Sequence, residues 1–230
     1  MNSFKTTDAL AIPKMHPLFK GLLFAAAARS DDETRYTLTH ILVEREDLIT
    51  RIVATDGRRL HIHEYDAGMF DSDICDDLLD VGLYEVIAKT KGTVVIAAAE
   101  DRELKFPDWR RIVPDYEPEH SAMVTDQTVG IFSAKTGVLL AVDFVRQACG
   151  FGCGGDKNAH VTYGSEDKKG AFVIEHELGK AYVMPVRWDN GEAEDEKTAT
   201  AKLPGMEDEK SSDDEPELPT VVDAVERFVK

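Results

Sequence analysis

The side chains of this sequence that could carry chemistry are mainly histidines and cysteines. His61 and His63 alternate along a predicted strand, so they share one face and could supply half of a metal site. Cys149 and Cys153, with His160 nearby, lack the usual Cys-x-x-Cys spacing, and a closed zinc site needs four ligands. Strand histidine pairs are more often hydrogen-bonded or solvent-facing, and a glycine-rich helix exit explains the cysteine segment better. We expect no metal site.

The aspartate-rich segment 66–80 offers carboxylates for Mg²⁺ or Ca²⁺, but it lacks the spacing and the glycine of a calcium loop. No Ser-His-Asp, Cys-His or paired-carboxylate set can be placed on facing elements. We therefore expect a non-catalytic protein with no cofactor. An unrelated nuclease or metal enzyme is the alternative, and metal-dependent thermal stabilisation would reveal it.

The composition limits the architecture and the function. With 230 residues, 43% of them hydrophobic, the chain can bury one large core or two small ones. Twelve acidic residues and three lysines lie between Asp189 and Glu217, so that segment carries much of the net charge of −17. The mildly acidic body argues against a protein that grips phosphates by counterion release, but not against one that surrounds DNA. Three cysteines, no signal-like N-terminus and no long apolar run favour the cytoplasm.

The first half of the chain predicts a helix followed by antiparallel strands. Pro17 suits the first turn of a helix that buries one face, and residues 36–44, 49–56 and 58–65 predict a three-strand meander. Segment 66–80 predicts an irregular insertion, and a hairpin that turns near Lys91 and Gly92 follows it.

Three prolines in 106–120 predict a connector, and the order of elements then recurs. Residues 128–137 and 138–142 predict strands, Asp143 predicts the cap of a helix over 144–152, and residues 159–188 predict a closing meander. The charged segment 189–219 predicts a disordered tail, and 220–230 predicts a short amphipathic helix that docks on its own body, binds a partner, or stays disordered until bound.

Three separated motifs carry a resemblance to a known family: VATDGRRL at 53–60, KFPDWRRIVP at 105–114 and AYVMPVRW at 181–188. Together, and in this order, they resemble the bacterial and phage DNA polymerase III beta subunit, the beta sliding clamp. The likeness extends over most of residues 10–188. It implies an α+β DNA-clamp fold of helix-plus-antiparallel-meander units: a first unit over 1–105, the connector over 106–120 and a second unit over 121–188.

In that family the equivalent segments converge on one pocket, which implies a peptide-binding groove. The expected apolar floor and the two residues that shape its backbone are Leu60, Pro107, Val183, Met184, Pro185 and Val186, with Thr55 and Gly57. Polar selection would come from Arg59, Arg111 and Arg187, because arginine's forked donors suit a peptide carbonyl or carboxylate, while methionine adapts to related peptides. Each motif alone is explained as well by an ordinary turn or edge strand.

The resemblance implies a replication processivity factor whose partners are polymerases and other replication or repair proteins, with double-stranded DNA encircled where a ring forms. Residues expected to face DNA are Lys14, Lys20, Arg29 and Arg146, fewer than a clamp's channel helices usually offer. A full clamp chain has three domains, so this chain is one clamp-like domain, two abbreviated domains, or a protomer that assembles as a homo-oligomer. The alternative function is a regulatory decoy that binds clamp-binding motifs without encircling DNA.

Overall fold

The structure is a computed structural model that describes residues 9–66, 78, 81–99, 103–153, 157–165 and 170–186. All of these belong to one compact unit, Met1–Trp188. The tail predicted over 189–219, the helix predicted over 220–230, Arg187 and nearly all of the insertion at 66–80 lie outside the described residues.

In the part of the chain that the structure describes, ten strands form a single sheet in which every neighbouring pair is antiparallel. They are β1 (Ala9–Pro13), β2 (Ile41–Glu46), β3 (Ile49–Thr55), β4 (Arg59–Asp66), β5 (Val81–Lys89), β6 (Thr93–Ala98), β7 (His120–Thr125), β8 (Asn158–Gly164), β9 (Phe172–His176) and β10 (Gly179–Val183). The spatial order is β1-β6-β5-β2-β3-β4-β10-β9-β8-β7. The predicted α+β class with antiparallel meanders is confirmed.

The sheet is built from two meanders joined at their last strands. The order β2-β3-β4 on one side is mirrored by β8-β9-β10 on the other, and β4 pairs with β10 between them. A strand and helical segments precede each meander, so the predicted repetition of the element order is present. We call the β4–β10 junction the seam, because there the two halves of the chain share backbone hydrogen bonds.

Among the described residues, three short helices cover one face of the sheet: α1 (Leu18–Ala26), α2 (Val129–Lys135) and α3 (Val142–Ala148). Glu33–Thr39 and Trp109–Ile112 form 3₁₀ turns. No helix in the described part of the chain is long and apolar enough to cross a membrane. Seven of the nine residues of α1 are buried, and they pack with strand residues such as Ile52 and Ile174 into the main core.

The connector, residues 106–120, covers the opposite face of the sheet. Trp109 is 8% exposed and packs in a second apolar cluster with residues of β3, β4, β9 and β10. Arg110 stacks over the Trp109 ring at 4.3 Å and donates two hydrogen bonds, of 3.1 and 2.8 Å, to the Glu44 carboxylate. The three prolines keep this segment out of the strand ladder, so its apolar side chains are free to cover the sheet.

Several predicted elements are wrong in type. Residues 128–137, predicted as a strand, contain α2, and residues 138–141 have no regular structure. The buried positions of α2 are Val129, Phe132 and Ser133, a helical spacing that the β-branched and aromatic residues concealed. Helix α3 has Ala141 as its N-cap, so Asp143 lies in the first turn instead of capping it. Residues 36–39 are 3₁₀, and β1 and β7 were not predicted.

Candidate peptide-binding groove

The three segments that carry the resemblance meet at the seam. Leu60 of β4 pairs directly with Tyr182 of β10. One residue beyond β10, the Met184 N–H donates a 2.8 Å hydrogen bond to the Arg58 carbonyl, which extends the pairing. Trp109 of the connector lies in the same apolar cluster as Leu60 and Tyr182. Segments more than 40 residues apart in sequence therefore meet at the seam.

The turn before β4 is fixed by its own side chains. The Thr55 hydroxyl donates to the Arg59 carbonyl at 2.6 Å and accepts from the Gly57 N–H at 3.0 Å. The Asp56 carboxylate accepts from the backbone N–H groups of Arg58 and Arg59 at 2.8 and 3.0 Å. Gly57 has a φ of +85°, which favours glycine. Thr55 and Gly57 thus fix the backbone of this turn, and their role in a peptide-binding groove stays a prediction.

Arg59 holds the two halves of the chain together. Its guanidinium forms a 3.0 Å ion pair with Asp56, hydrogen-bonds the Gln147 side chain of α3, and lies 4.2 Å from the centre of the Phe144 ring. The Arg59 side chain is only 10% exposed, and that of Asp56 is 16% exposed. A nearly buried guanidinium with this set of partners joins β4 to α3.

Replacing Arg59 with alanine is expected to lower the free energy of unfolding by about 2 to 3 kcal/mol, because a nearly buried ion pair loses one partner together with the packing on Phe144. The matched control is Arg111→Ala. Arg111 pairs with Asp108, but the two side chains are 84% and 54% exposed, so its loss should have almost no effect. Urea unfolding of both variants measures the difference, and equal midpoints would contradict the fastening role.

The predicted groove residues divide by exposure. The buried members of this set are Thr55, Leu60 and Val183, and the partly exposed members are Arg59 and Pro185. The exposed members are Gly57, Pro107, Arg111, Met184 and Val186. Leu60 lies opposite Tyr182, and both side chains face the connector. Val183 follows Tyr182 in β10 and faces the helices, because neighbouring residues of a strand point to opposite faces of the sheet. The buried residues support the surface, and the exposed residues are the ones a ligand can reach.

An apolar patch lies beside the turn. Its members, each between 41% and 52% exposed, are Leu139, Val142, Met184 and Val186. The Val186 N–H donates a 2.8 Å hydrogen bond to the Leu139 carbonyl, which ties the chain after β10 to the segment before α3. Sequence analysis missed Leu139 and Val142. All five residues of VLLAV, 138–142, are apolar, so the sequence carries no signal that shows which of them face solvent.

The paired histidines of β4 are buried and hydrogen-bonded. The Nδ1–H groups of His61 and His63 donate to the carbonyls of Phe24 and Leu178, each at 2.8 Å. Burial lowers the pKa of His61 to about 3 and that of His176 on β9 to about 4, and it also lowers the pKa of His63. Of the two interpretations that the sequence left open, hydrogen-bonded or solvent-facing, the structure shows the first. All three rings lie near the seam on the helix side.

The cysteines of the helix exit are unreactive in this setting. Cys149 and Cys153 are buried, and burial raises the pKa of their thiols to about 12 and about 11. Within the described residues, no group of three or more histidines, cysteines or carboxylates is arranged to hold a metal ion. His160 is exposed on β8. Fully protonated, buried thiols are poor ligands and poor nucleophiles.

The four residues expected to face DNA differ in exposure and in whether their charged groups already have partners within the protein. Lys14 is exposed and Lys20 is partly exposed. Arg29 donates to the Thr39 carbonyl at 3.4 Å, and burial lowers the pKa of its guanidinium. Arg146 is held by the Asp126 carboxylate through hydrogen bonds of 2.6 and 2.9 Å. The two arginines are therefore engaged within the protein, and only the lysines remain available.

The comparisons with known proteins agree with this architecture. No protein-family model and no curated protein sequence matches the chain. Among solved structures, it is similar to a DnaN sliding clamp from Pseudomonas aeruginosa bound to griselimycin, with a TM-score of 0.50 and 15% identity over 82% of this chain and 68% of the clamp. A DNA polymerase sliding clamp from Bacillus subtilis also gives a TM-score of 0.50 at 15% identity, over 82% of this chain and 66% of the clamp. The chain thus has the fold of the bacterial DNA polymerase III beta sliding clamps, over about two thirds of their length.

Proposed function

We propose that this chain is a sliding-clamp-like protein that binds partner proteins through a peptide groove at the seam. The observation that carries the proposal is the convergence of the three motif segments, with the exposed apolar patch directly beside them. An exposed apolar surface of this kind, bordered by polar residues, is typical of a binding site for a short peptide. The patch, the exposed Pro107 and the partly exposed Pro185 define the proposed groove.

The partners that suit this surface are replication or repair proteins, such as a polymerase, that carry short linear motifs with apolar side chains. Met184 is unbranched and adaptable, which lets one site accept several related peptides. Of the predicted polar selectors, Arg111 is 84% exposed and available to a ligand. Arg59 contributes by fixing the shape of the site, since its guanidinium already binds Asp56 and Gln147.

We infer a non-catalytic role in the cytoplasm, without a cofactor. The histidines and cysteines that could carry chemistry are mostly buried, and the shifts in their pKa values hold the imidazoles neutral and the thiols protonated at neutral pH. Free thiols are compatible with a reducing compartment. DNA encirclement would require a homo-oligomeric ring, since the chain spans about two thirds of the clamps to which it is similar.

A second candidate is the regulatory decoy, which binds clamp-binding peptides without encircling DNA. It is favoured by the net charge of −17 and by the internal pairing of Arg29 and Arg146. The two candidates differ in assembly, because a clamp must form a closed ring and a decoy need not. Sedimentation velocity at several protein concentrations, together with retention on circular DNA, separates them.

The groove is tested by fluorescence anisotropy with a labelled peptide that contains a glutamine, a following leucine and an adjoining leucine-phenylalanine pair. We expect saturable binding that Met184→Asp and Leu139→Asp each weaken at least about tenfold, since a carboxylate in an apolar contact costs more than about 1.4 kcal/mol. Both residues are exposed, so the variants should fold.

The control is Met123→Asp. Met123 lies on the edge strand β7, away from the seam, and is 65% exposed. It should leave the affinity unchanged. If the intact chain does not bind the peptide, or if all three variants bind it equally, the likeness to clamps is one of fold alone and the peptide-binding function is wrong.

A further inference from the structure

The exposed apolar patch beside the turn includes Val186, the last residue that the structure describes. The patch consists of Leu139, Val142, Met184 and Val186, and another 44 residues follow Val186 in the sequence. Its position is fixed by two backbone hydrogen bonds of 2.8 Å, from the Met184 N–H to the Arg58 carbonyl and from the Val186 N–H to the Leu139 carbonyl. The C-terminal sequence therefore starts from within the patch.

A basic residue lies beside the patch. Arg58 is exposed, and within the described part of the chain it forms no ion pair. Its neighbour Arg59 is already bound to Asp56 and Gln147, so Arg58 supplies the accessible positive charge of this turn. A ligand that combines several apolar side chains with an adjacent carboxylate complements such a surface.

The sequence that follows the patch contains one segment with this combination, the amphipathic helix predicted over 220–230. Glu226 lies next to its apolar stripe on a helical wheel. Between residues 189 and 217, by contrast, the only large apolar side chains are Leu203 and Met206. The stripe has the spacing with which a helix binds in a groove, and its members are Val221, Val222, Val225, Phe228 and Val229.

This segment needs a partner surface, and its connection to the patch supplies one at high local concentration. Eleven residues are too few for a helix that is stable by itself in water, so an apolar surface has to cover the stripe. The 34 residues between Val186 and Val221 are charged and polar for the most part, a composition that predicts a disordered tether. Such a tether has a root-mean-square length of roughly 30 to 35 Å and gives a local concentration on the order of 1 mM.

We propose that residues 220–230 are a ligand of the apolar patch of their own chain and compete there with partner peptides. The stripe covers the exposed apolar side chains, and the carboxylate of Glu226 complements the charge of Arg58. A partner motif has to displace this segment before it can bind. A tethered ligand with a dissociation constant of about 100 µM, at a local concentration of about 1 mM, weakens the affinity for an outside peptide about tenfold. This inference rests on the proposed function, because it assigns a ligand to the same site.

The test uses the labelled peptide with the glutamine, the leucine and the leucine-phenylalanine pair, which we call the motif peptide. Its affinity is measured by fluorescence anisotropy for the full chain and for a full-length Val225→Asp/Phe228→Asp variant. We expect the variant to bind the motif peptide about tenfold more tightly, because its stripe no longer competes. The matched control, Arg227→Gln/Lys230→Gln, makes the same change in net charge on the other side of the predicted helix and should bind like the unsubstituted chain.

A second titration separates failure of this inference from failure of the proposed function. A labelled synthetic peptide of residues 218–230 is added to the Val225→Asp/Phe228→Asp chain, with and without Met184→Asp. Saturable binding that Met184→Asp weakens supports the self-ligand, even where the motif peptide does not bind and the proposed partner class is wrong. Equal affinity of the unsubstituted chain and the Val225→Asp/Phe228→Asp variant for the motif peptide overturns the self-ligand and leaves the proposed function standing. An equal gain in the control variant also overturns it, and binding of neither peptide overturns both.

Discussion

Acidification from pH 7.5 to pH 5 is expected to destabilise this protein through its buried histidines. His61 and His176 have pKa values of about 3 and about 4 in the folded chain, against 6.5 in the unfolded chain, because burial disfavours the charged imidazole. The stability that comes from keeping them neutral is fully present above pH 6.5, and it is lost as the pH falls below 6.5 towards the folded values. At pH 5 the loss is roughly 2 kcal/mol for each of the two.

The geometry explains why these rings resist protonation. The Nε2 atoms of His61 and His63 are buried and have no hydrogen-bond partner among the described residues, so a proton added there would lie unsolvated. Gly21 on α1 and Gly150 after α3 leave the space that the rings of His63 and His176 occupy, since a Cβ at either glycine would collide with the ring. Protonation should therefore loosen the contact of the helices with the seam.

Urea unfolding at pH 7.5, 6 and 5 tests this expectation. A His61→Gln variant should be less stable at pH 7.5, but it should lose roughly 2 kcal/mol less than the unsubstituted chain on going to pH 5. His160→Gln is the control, because His160 is exposed and should leave the pH dependence unchanged. Among the described residues, three carboxyls have lowered pKa values, Asp32, Glu46 and Asp126; their contribution to stability is lost mainly below pH 5, so they do not obscure this window. Parallel pH profiles for all three proteins would contradict the histidine assignment.

Replacing Gly179 with alanine is expected to break the seam. Gly179 begins β10 with a φ of +135°, in a region that favours glycine. A Cβ at this position would collide with the carbonyl oxygen of Ile62 on β4, a backbone atom that cannot move without opening the β4–β10 pairing. We expect a loss of at least about 3 kcal/mol, the range seen when both backbone strain and a steric clash are introduced.

A second glycine provides the comparison for Gly179. Gly152 also has a positive φ, of +88°, but nothing lies within 4 Å of the place its Cβ would occupy. Gly152→Ala should therefore cost only about 1 to 2 kcal/mol, the price of the backbone conformation alone. Urea midpoints of the two variants measure the difference. A midpoint for Gly179→Ala equal to that of Gly152→Ala would show that the seam tolerates the extra methyl group.

Only part of the candidate site could be predicted from the sequence. Whether a residue's role was predictable depends on whether its partners are near it in the sequence. The motifs identified Met184, Val186 and Pro107, which the structure places at or near the surface of the converging segments. The motifs could not show that Arg59 is engaged by Asp56 and Gln147, because Gln147 is 88 residues away in sequence.

The local properties of the sequence by themselves determined the antiparallel class, helix α1, the β5–β6 hairpin and most strands, because apolar periodicity and turn residues act over a few positions. Tertiary structure alone decided that residues 128–137 are helical in part, since their β-branched residues favour a strand until burial against the core selects a helical spacing. It also decided that the two meanders join at β4 and β10, and that His61 is buried instead of solvent-facing. Pairing and burial between distant segments depend on which surfaces fit together, and that information lies in no single stretch of the chain.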